Sequence, residues 1–297
     1  MQREHTDVNV KPRERFLTLD TATTVMAAAL MNGRELLGES NVYGERNHSV
    51  HVISELERLL NEEGLTRDDV DGIAVGVGPG SYTGIRIAVT AAKTLAWAWG
   101  VPVTSISTLH ALAWGGWNRG IEMKGQEGKN ESVNNGSSGA QAADWIVPVL
   151  DARRGQVYTG LFAVSTVDDV ESPQRLEPDA IRLMTAWTDD LLQRLEPDAI
   201  RLMTAWTDDL LQRLEALPSE ERPPVIWLVG ETAVHAETAE RLRAWSELRI
   251  VPYELEGRWV GRLGADKLLR QEHDELHTLV PNYTQLAEAE ANLLRQR

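Results

Sequence analysis

The pattern of apolar and polar residues divides the chain into two similar halves. Alternating apolar residues and a strong hairpin signal at Asn32-Gly33 predict three antiparallel strands near the start of the first half. Apolar residues at helical spacing, separated by short apolar runs, then predict a helix, a strand, a second helix and a further strand. The predicted strands are 16–20, 25–31, 34–40, 72–77 and 101–106, and the predicted helices are 49–62 and 83–99.

The second half repeats this plan. In each half the first strand ends at an aspartate, Asp20 or Asp151, and a second apolar strand follows a short turn. The later elements are predicted as strands at 157–162, 225–229 and 248–253 and helices at 234–245 and 261–271. This order indicates an α/β protein with two ribonuclease-H-like domains and mixed sheets, the fold of actin, Hsp70 and sugar kinases (the ASKHA fold).

Composition sets the expected domain limits. A chain of 297 residues, 42% hydrophobic and 25% charged, is typical of two modest globular domains. Residues 1–14 contain no apolar run, so we expect a disordered tail and a cytoplasmic protein. Residues 115–143 are rich in Gly, Asn and Ser, which predicts a disordered insertion. The two domains are therefore expected at 15–114 and 144–297.

Charge and residue usage exclude several kinds of function. The net charge of −15 repels phosphate backbones, so the chain is not expected to bind nucleic acid alone. The absence of cysteine excludes thiol nucleophiles and thiolate metal sites, and no apolar run is long enough to span a membrane. His273 and His277 are four residues apart, but no third ligand is in view and no metal site is predicted.

An identical tandem repeat interrupts the second half. Residues 174–192 recur without a change at 193–211, which indicates a recent duplication or an error of sequence assembly. Because a 19-residue offset puts a helix about 100° out of phase, only one copy can pack on the core in a given way. We expect one copy to form the native helix and the other to form an exposed helix or loop.

A glycine-rich turn at 76–84 lies between a predicted buried strand and a long helix, as in phosphate-binding loops. Its spacing nevertheless differs from that of the Walker A loop, the dinucleotide-binding loop and the hydrolase elbow. Together with the first strand-end turn, it is predicted to be a vestigial phosphate loop, with residues Asp20, Thr21, Gly78, Gly80, Ser81 and Gly84.

Several motifs resemble those of the TsaB family, namely LTLDTAT at 17–23, GPGSYTGIR at 78–86, VLDARRGQVYTGLF at 149–162, LVGETA at 228–233 and VPNYTQLAEAE at 280–290. The resemblance implies a non-catalytic subunit that binds TsaD, or a second copy of itself when TsaD is absent. With TsaE, the complex would transfer threonylcarbamoyl from threonylcarbamoyl-AMP to N6 of adenosine 37 in tRNAs that read codons starting with A. It implies no cofactor of the chain's own, and leaves open a nucleotide at the partner interface.

Two further expectations follow from the resemblance. The catalytic relative TsaD carries an iron-binding HxxxH pair, whereas the aligned positions here are Thr108 and Leu112, which cannot bind a metal. The two helices of the first half are expected to form the partner interface, through Val52, Leu56, Leu59, Arg86, Thr90, Lys93 and Trp97. The alternative function is a stand-alone ATPase or small-molecule kinase that uses Asp20 and Asp151, although Arg153 and Arg154 crowd the second turn.

Overall fold

The computed structural model describes residues 14–43, 48–127, 142–152, 156–165, 172–180 and 201–282. Within these ranges, no helix is both long and apolar enough to cross a membrane.

The first half contains a five-stranded mixed sheet. Its hairpin strands are antiparallel, and two further strands pair in parallel with the first strand, giving the order β3-β2-β1-β4-β5. Gly33, with φ of 55°, makes the hairpin turn that the Asn32-Gly33 pair predicts. The strands are β1 (Arg15–Asp20), β2 (Val25–Asn32), β3 (Glu35–Tyr43), β4 (Gly72–Gly76) and β5 (Val103–Ile106), and the helices are α1 (His48–Glu62) and α2 (Tyr82–Trp99).

The second half repeats the same topology. Its strands are β6 (Asp144–Asp151), β7 (Gln156–Val164), β8 (Gln174–Ala180), β9 (Arg201–Leu202), β10 (Val225–Gly230) and β11 (Glu247–Pro252). The order β11-β10-β6-β7-β8 is that of the first sheet, with β6 in the position of β1, and β9 also pairs with β7. The prediction of two ribonuclease-H-like units with mixed sheets is therefore confirmed.

Two helices cross between the halves. Helix α3 (Thr108–Glu127) leaves the first half and packs on the second sheet, whereas α6 (Gly257–Leu269) leaves the second half and packs on the first sheet. Glycines allow these close contacts: a Cβ at Gly120 would lie 2.4 Å from the Trp227 ring, and one at Gly257 would lie 2.2 Å from the carbonyl oxygen of Ala28. Each half therefore supplies part of the other's core.

Two sequence predictions need correction. The insertion predicted at 115–143 begins too early, because residues up to Glu127 belong to α3 and the glycines at 116 and 120 pack against the second sheet. The rest of that range, 128–141, and residues 1–13 lie outside the described residues. The helix predicted at 234–245 is shorter, with one turn at α5 (Ala236–Ala239) followed by a 3₁₀ segment at Glu240–Ala244.

The two copies of the repeat contribute to different elements. Strand β8 comes from the first copy, while β9 and the start of α4 (Met203–Ala216) come from the second copy. The described helix begins in the second copy, and the use of both copies in one structural unit was not anticipated. Residues 181–200, between them, lie outside the described residues.

The chain after α6 returns to the first half. The amide of Asp274 donates to the carbonyl of Val103, and the amide of Asn282 donates to the carbonyl of Val77. Lys93 on α2 donates to the carbonyl of Leu279 over 2.8 Å. His273 and His277 are therefore in an irregular segment and not on a helix, and the described residues contain no group of three or more side chains suited to a metal ion.

Candidate functional site

The glycine-rich turn that follows β4 packs directly on the turn that follows β1. The amide of Ser81 donates to the carbonyl of Ala22 over 2.7 Å, and the hydroxyl of Thr21 donates to the carbonyl of Gly84 over 2.6 Å. The structure thus brings together the six residues predicted as a phosphate loop.

Glycines are required for this contact. A Cβ at Gly80 would lie 2.3 Å from the Ala22 carbonyl oxygen, and one at Gly84 would lie 2.0 Å from the Thr21 carbonyl oxygen. The φ angles of Gly78 (96°) and Gly80 (156°) also disfavour other residues. The glycines therefore allow one protein turn to approach another.

Asp20 is fully buried beneath the two turns. One carboxylate oxygen accepts from the amide of Ala22, and the other accepts from the hydroxyl of Thr108, each over 2.7 Å. Burial raises the pKa of Asp20 to about 6, although both hydrogen bonds act in the opposite direction. Asp20 therefore connects the first strand to the start of α3.

Thr108 is the central residue that the sequence predictions missed. Its hydroxyl donates to Asp20 and also accepts from the amide of Gly78 over 3.1 Å. In the sequence, Thr108 was considered only because it aligns with a metal-ligand position of TsaD. A threonine at the start of a helix is common, so no sequence pattern predicted its contact with Asp20. Its role in this chain is a structural link between two loops.

Three backbone amides of the glycine-rich turn have protein partners. Those of Gly78, Ser81 and Gly84 donate to Thr108, Ala22 and the side chain of Ser81. Ser81 is also the N-cap of α2, so its hydroxyl satisfies one amide at the helix start. These contacts suit a structural turn that begins α2, because three of its donors bind protein oxygens.

The corresponding turn of the second half is more open. The amide of Asp151 donates to Glu231 over 2.7 Å, and Nε2 of the buried His235 lies 3.7 Å from the Asp151 carboxylate. Burial, with a smaller contribution from the charge of Asp151, raises the pKa of Glu231. Arg153 and Arg154 lie outside the described residues.

A cleft of about 1030 Å³ lies beside this second turn, between the two halves. Its lining carries more acidic than basic side chains, which are Glu122, Asp151, Glu231, Glu254 and Glu256 against Arg119 and Arg258. Asp20 is not part of this lining. A polyphosphate would meet unfavourable charge here, and Asp20 and Asp151, the two aspartates of the alternative ATPase or kinase function, do not both line the cleft.

A second concave surface lies between α1 and α2. This groove, of about 490 Å³, is lined by Val52, Ile53, Thr83, Arg86, Ile87, Thr90, Ala91, Thr94 and Leu95. Large apolar side chains beside it are exposed, since Ile53 is 44% and Trp97 is 73% accessible. We call this region, with Ile53, Arg86, Thr90 and Trp97 at its surface, the α1–α2 surface.

Part of the predicted interface is wrong. Leu56 and Leu59 are buried in the core between α1 and the first sheet, because the main apolar stripe of α1 faces inward. Val52 is also buried, but it lines the groove. Lys93 is half-buried and bound to the C-terminal segment, whereas Arg86, Thr90 and Trp97 are exposed. Ile53, which sits beside the inward stripe, is the exposed apolar residue that the sequence predictions overlooked.

Comparisons with known proteins agree with the motifs. Residues 42–122 match the model of the family "TsaD: tRNA N6-adenosine threonylcarbamoyltransferase". The chain is 29% identical over 289 residues to the "tRNA threonylcarbamoyladenosine biosynthesis protein TsaB" of Bacillus subtilis, covering 95% of this chain and 99% of that protein. It is 32% identical over 147 residues to TsaB of Escherichia coli, covering 48% of this chain and 53% of that protein.

The fold is also shared with a solved structure. "YeaZ from Pseudomonas aeruginosa" superposes with a TM-score of 0.57 and 21% identity, over 91% of this chain and 99% of that one. With the match to TsaB over nearly the whole chain, the resemblance to the TsaB family that the motifs indicate is confirmed.

Proposed function

We propose that this chain is a non-catalytic subunit in the formation of threonylcarbamoyladenosine in tRNA. It binds a TsaD-type transferase and, with TsaE, supports transfer of threonylcarbamoyl from threonylcarbamoyl-AMP to N6 of adenosine 37 in tRNAs that read codons starting with A. The similarity to TsaB over 95% of the chain supports the pathway. The observation that supports a binding role is the exposure of Ile53 and Trp97 beside a groove between two helices.

The α1–α2 surface has the properties of a helix-packing interface. Small side chains such as Thr90, Ala91 and Thr94 allow a partner helix to approach α2 closely, and Ile53 and Trp97 offer apolar anchors on either side. Trp and Arg are the residue types that contribute most to interface free energy, and Arg86 lies on the same surface. When the transferase is absent, the same surface would pair two copies of the chain.

The chemistry of the two turns supports an accessory role over a stand-alone ATPase or kinase. Three amides of the glycine-rich turn donate to protein oxygens, and the cleft between the halves has an excess of carboxylates. No cofactor is assigned to this chain alone, and a nucleotide would have to bind at the interface with the partner.

tRNA is expected to reach this subunit only through the complex. The net charge of −15 gives the chain an unfavourable long-range interaction with a phosphate backbone. The transferase would therefore hold the tRNA, while this chain stabilises the transferase in its active arrangement.

Reconstitution with TsaD and TsaE tests the proposal. Modified tRNA is expected to form only when this chain is present, and undiminished product in its absence would contradict the proposal. The Trp97→Ala variant is expected to weaken TsaD binding by about 30-fold or more, since truncation of an aromatic anchor costs ~2 kcal/mol. Calorimetric titration of TsaD measures this change.

A matched control separates the interface from general surface effects. Met123→Ala removes another exposed apolar side chain, on α3 and away from the α1–α2 surface. This variant should bind TsaD as the unchanged chain does. Equal weakening in both variants, or none in Trp97→Ala, would place the interface elsewhere.

A further inference from the structure

The tandem repeat is built into the edge of the second sheet in an unexpected way. Ala180, from the first copy, pairs with Thr159 of β7, and Arg201, from the second copy, pairs with Val157. In a continuous antiparallel strand, the residue two positions after Ala180 would pair with Val157. That residue is Arg182, and Arg201 is its identical counterpart 19 positions later.

The sheet edge therefore has the register that a single copy would give if residues 182–200 were deleted. Strand β8 uses the beginning of the first copy, and β9 and α4 use the end of the second copy. Each copy contains both parts, because the QRLEPDA of β8 recurs at 193–199 and the RLMTAW of β9 and α4 occurs earlier at 182–187.

The residues that α4 buries in the core have identical counterparts in the earlier part of the repeat. The helix buries Met203, Trp206, Thr207, Leu210 and Leu214. Nineteen positions earlier the sequence has Met184, Trp187, Thr188, Leu191 and Leu195 in the same order. The α4 sequence is identical to the sequence 19 positions earlier as far as Glu215, which aligns with Glu196. The first difference is at Ala216, which aligns with Pro197. Pro197 would end the earlier helix only after its last core residue.

We propose that the strand and helix at this edge form in three alternative ways, which differ in the copy of the repeat that supplies each element. We call each of these choices a frame. In the observed hybrid frame the strand comes from the first copy and the helix from the second. In the other two frames a single copy supplies both, and the extra 19 residues lengthen either the connection before β8 or the connection after α4. The protein exchanges between these frames, and either copy can fill the core.

The physical basis is that the frames bury the same side chains. Register in a sheet is fixed by the pattern of residues that face the core, and here that pattern occurs twice without change. The frames differ only in where the surplus chain is looped out, and the entropy cost of lengthening a loop rises slowly with its length. The duplication therefore adds no sequence signal that would select one frame.

Thiol labelling in full-length protein tests this proposal, because the chain has no cysteine of its own. Leu210 is fully buried in α4, so Leu210→Cys places a reporter thiol in the core. Since Leu is the better core residue, the frame in which the first copy supplies the helix, with Leu191 in the core, should become preferred, and the introduced thiol should become accessible. Its reaction with a chromogenic disulfide should then be at least tenfold faster than in a chain that carries the same substitution but lacks residues 182–200.

The deletion chain is the matched control, since it contains one copy and can form only one frame. In that background the introduced thiol should be protected, and the chain should unfold in a single transition at least as stable as the full-length protein. Equal protection of this thiol in both backgrounds would overturn the proposal, because it would show that the second copy alone fills the core.

A second pair of variants tests the same proposal without a cysteine, in case the introduced thiol causes misfolding. Trp187→Phe and Trp206→Phe change one copy each, and in either variant the unchanged copy should take the core position. Both variants should therefore lower the unfolding midpoint less than Trp206→Phe does in the deletion chain. A full effect for Trp206→Phe with no effect for Trp187→Phe would again contradict exchange between frames.

Discussion

Asp20 shows how one buried carboxyl group can hold a turn together. It accepts hydrogen bonds from Ala22 and Thr108, and the Thr108 hydroxyl in turn accepts from the amide of Gly78. This chain of contacts joins the ends of β1 and β4 to the start of α3. Both oxygens of this buried carboxyl group accept hydrogen bonds from protein donors.

The pKa of Asp20 predicts a pH dependence of stability. Burial raises this pKa to about 6, whereas an unfolded aspartate has a pKa of about 3.9. The associated stability is fully present below about pH 4 and is lost as pH rises through about 6. Relative to Asp20→Asn, the unchanged protein should therefore lose about 2 kcal/mol of unfolding free energy between pH 4 and pH 7.

Urea unfolding at several pH values measures this loss. Asp68→Asn, which alters an exposed carboxylate, is the control and should follow the unchanged protein at each pH. If the difference between Asp20→Asn and the unchanged protein stays constant from pH 4 to pH 7, the carboxyl group does not titrate in this range and the expectation fails.

Much of helix α3 was predicted to be part of a disordered insertion because of its composition. Its several glycines make its composition similar to that of a flexible linker, but those at 116 and 120 lie against Val229 and Trp227 of the second sheet. Small residues are needed because the helix lies close to the sheet. The Trp227 ring cannot easily move aside, since its Nε1 donates to the carboxylate of Asp144 over 2.9 Å.

Two glycines of this helix should therefore respond in opposite ways to the same substitution. A Cβ at Gly120 would lie 2.4 Å from the Trp227 ring, so Gly120→Ala should destabilise the protein by about 1–3 kcal/mol. A Cβ at Gly125 would meet nothing within 4 Å, so Gly125→Ala should be neutral or stabilising by up to ~1 kcal/mol. Chemical denaturation of both variants measures the difference, and equal effects would contradict the close packing.

The sequence predicted elements better than it predicted surfaces. Periodicity located every strand of the first sheet, and the repeated strand-end aspartate revealed the two halves. Which face of α1 is buried depends on the sheet beneath it, and so Leu56 and Leu59 were wrongly assigned to an interface while Ile53 was missed. The hydrogen bond between Thr108 and Asp20 joins residues 88 positions apart, and no local pattern indicates it.

At the scale of the whole molecule, the exchange of α3 and α6 links the two halves into one unit. Helix α6 covers the first sheet and α3 covers the second, so neither sheet keeps its core if the other half unfolds. The C-terminal segment adds a further link through Asp274 and Asn282, which bond to Val103 and Val77. Two domains that shared no helices would be expected to unfold separately. Because α3 and α6 each pack on the opposite half, these two halves should unfold together.

Cooperative unfolding can be measured with one probe in each half. In the second half, Ala239→Cys on α5 places a single thiol at a fully buried position, because the chain has no cysteine of its own. In the first half, Ala88→Cys on α2 does the same in a separate variant. The midpoints for thiol exposure in the two variants should coincide in urea. Gly120→Ala, although it acts on the second sheet, should lower both midpoints equally, whereas a shift confined to the Ala239→Cys variant would show that the halves unfold independently.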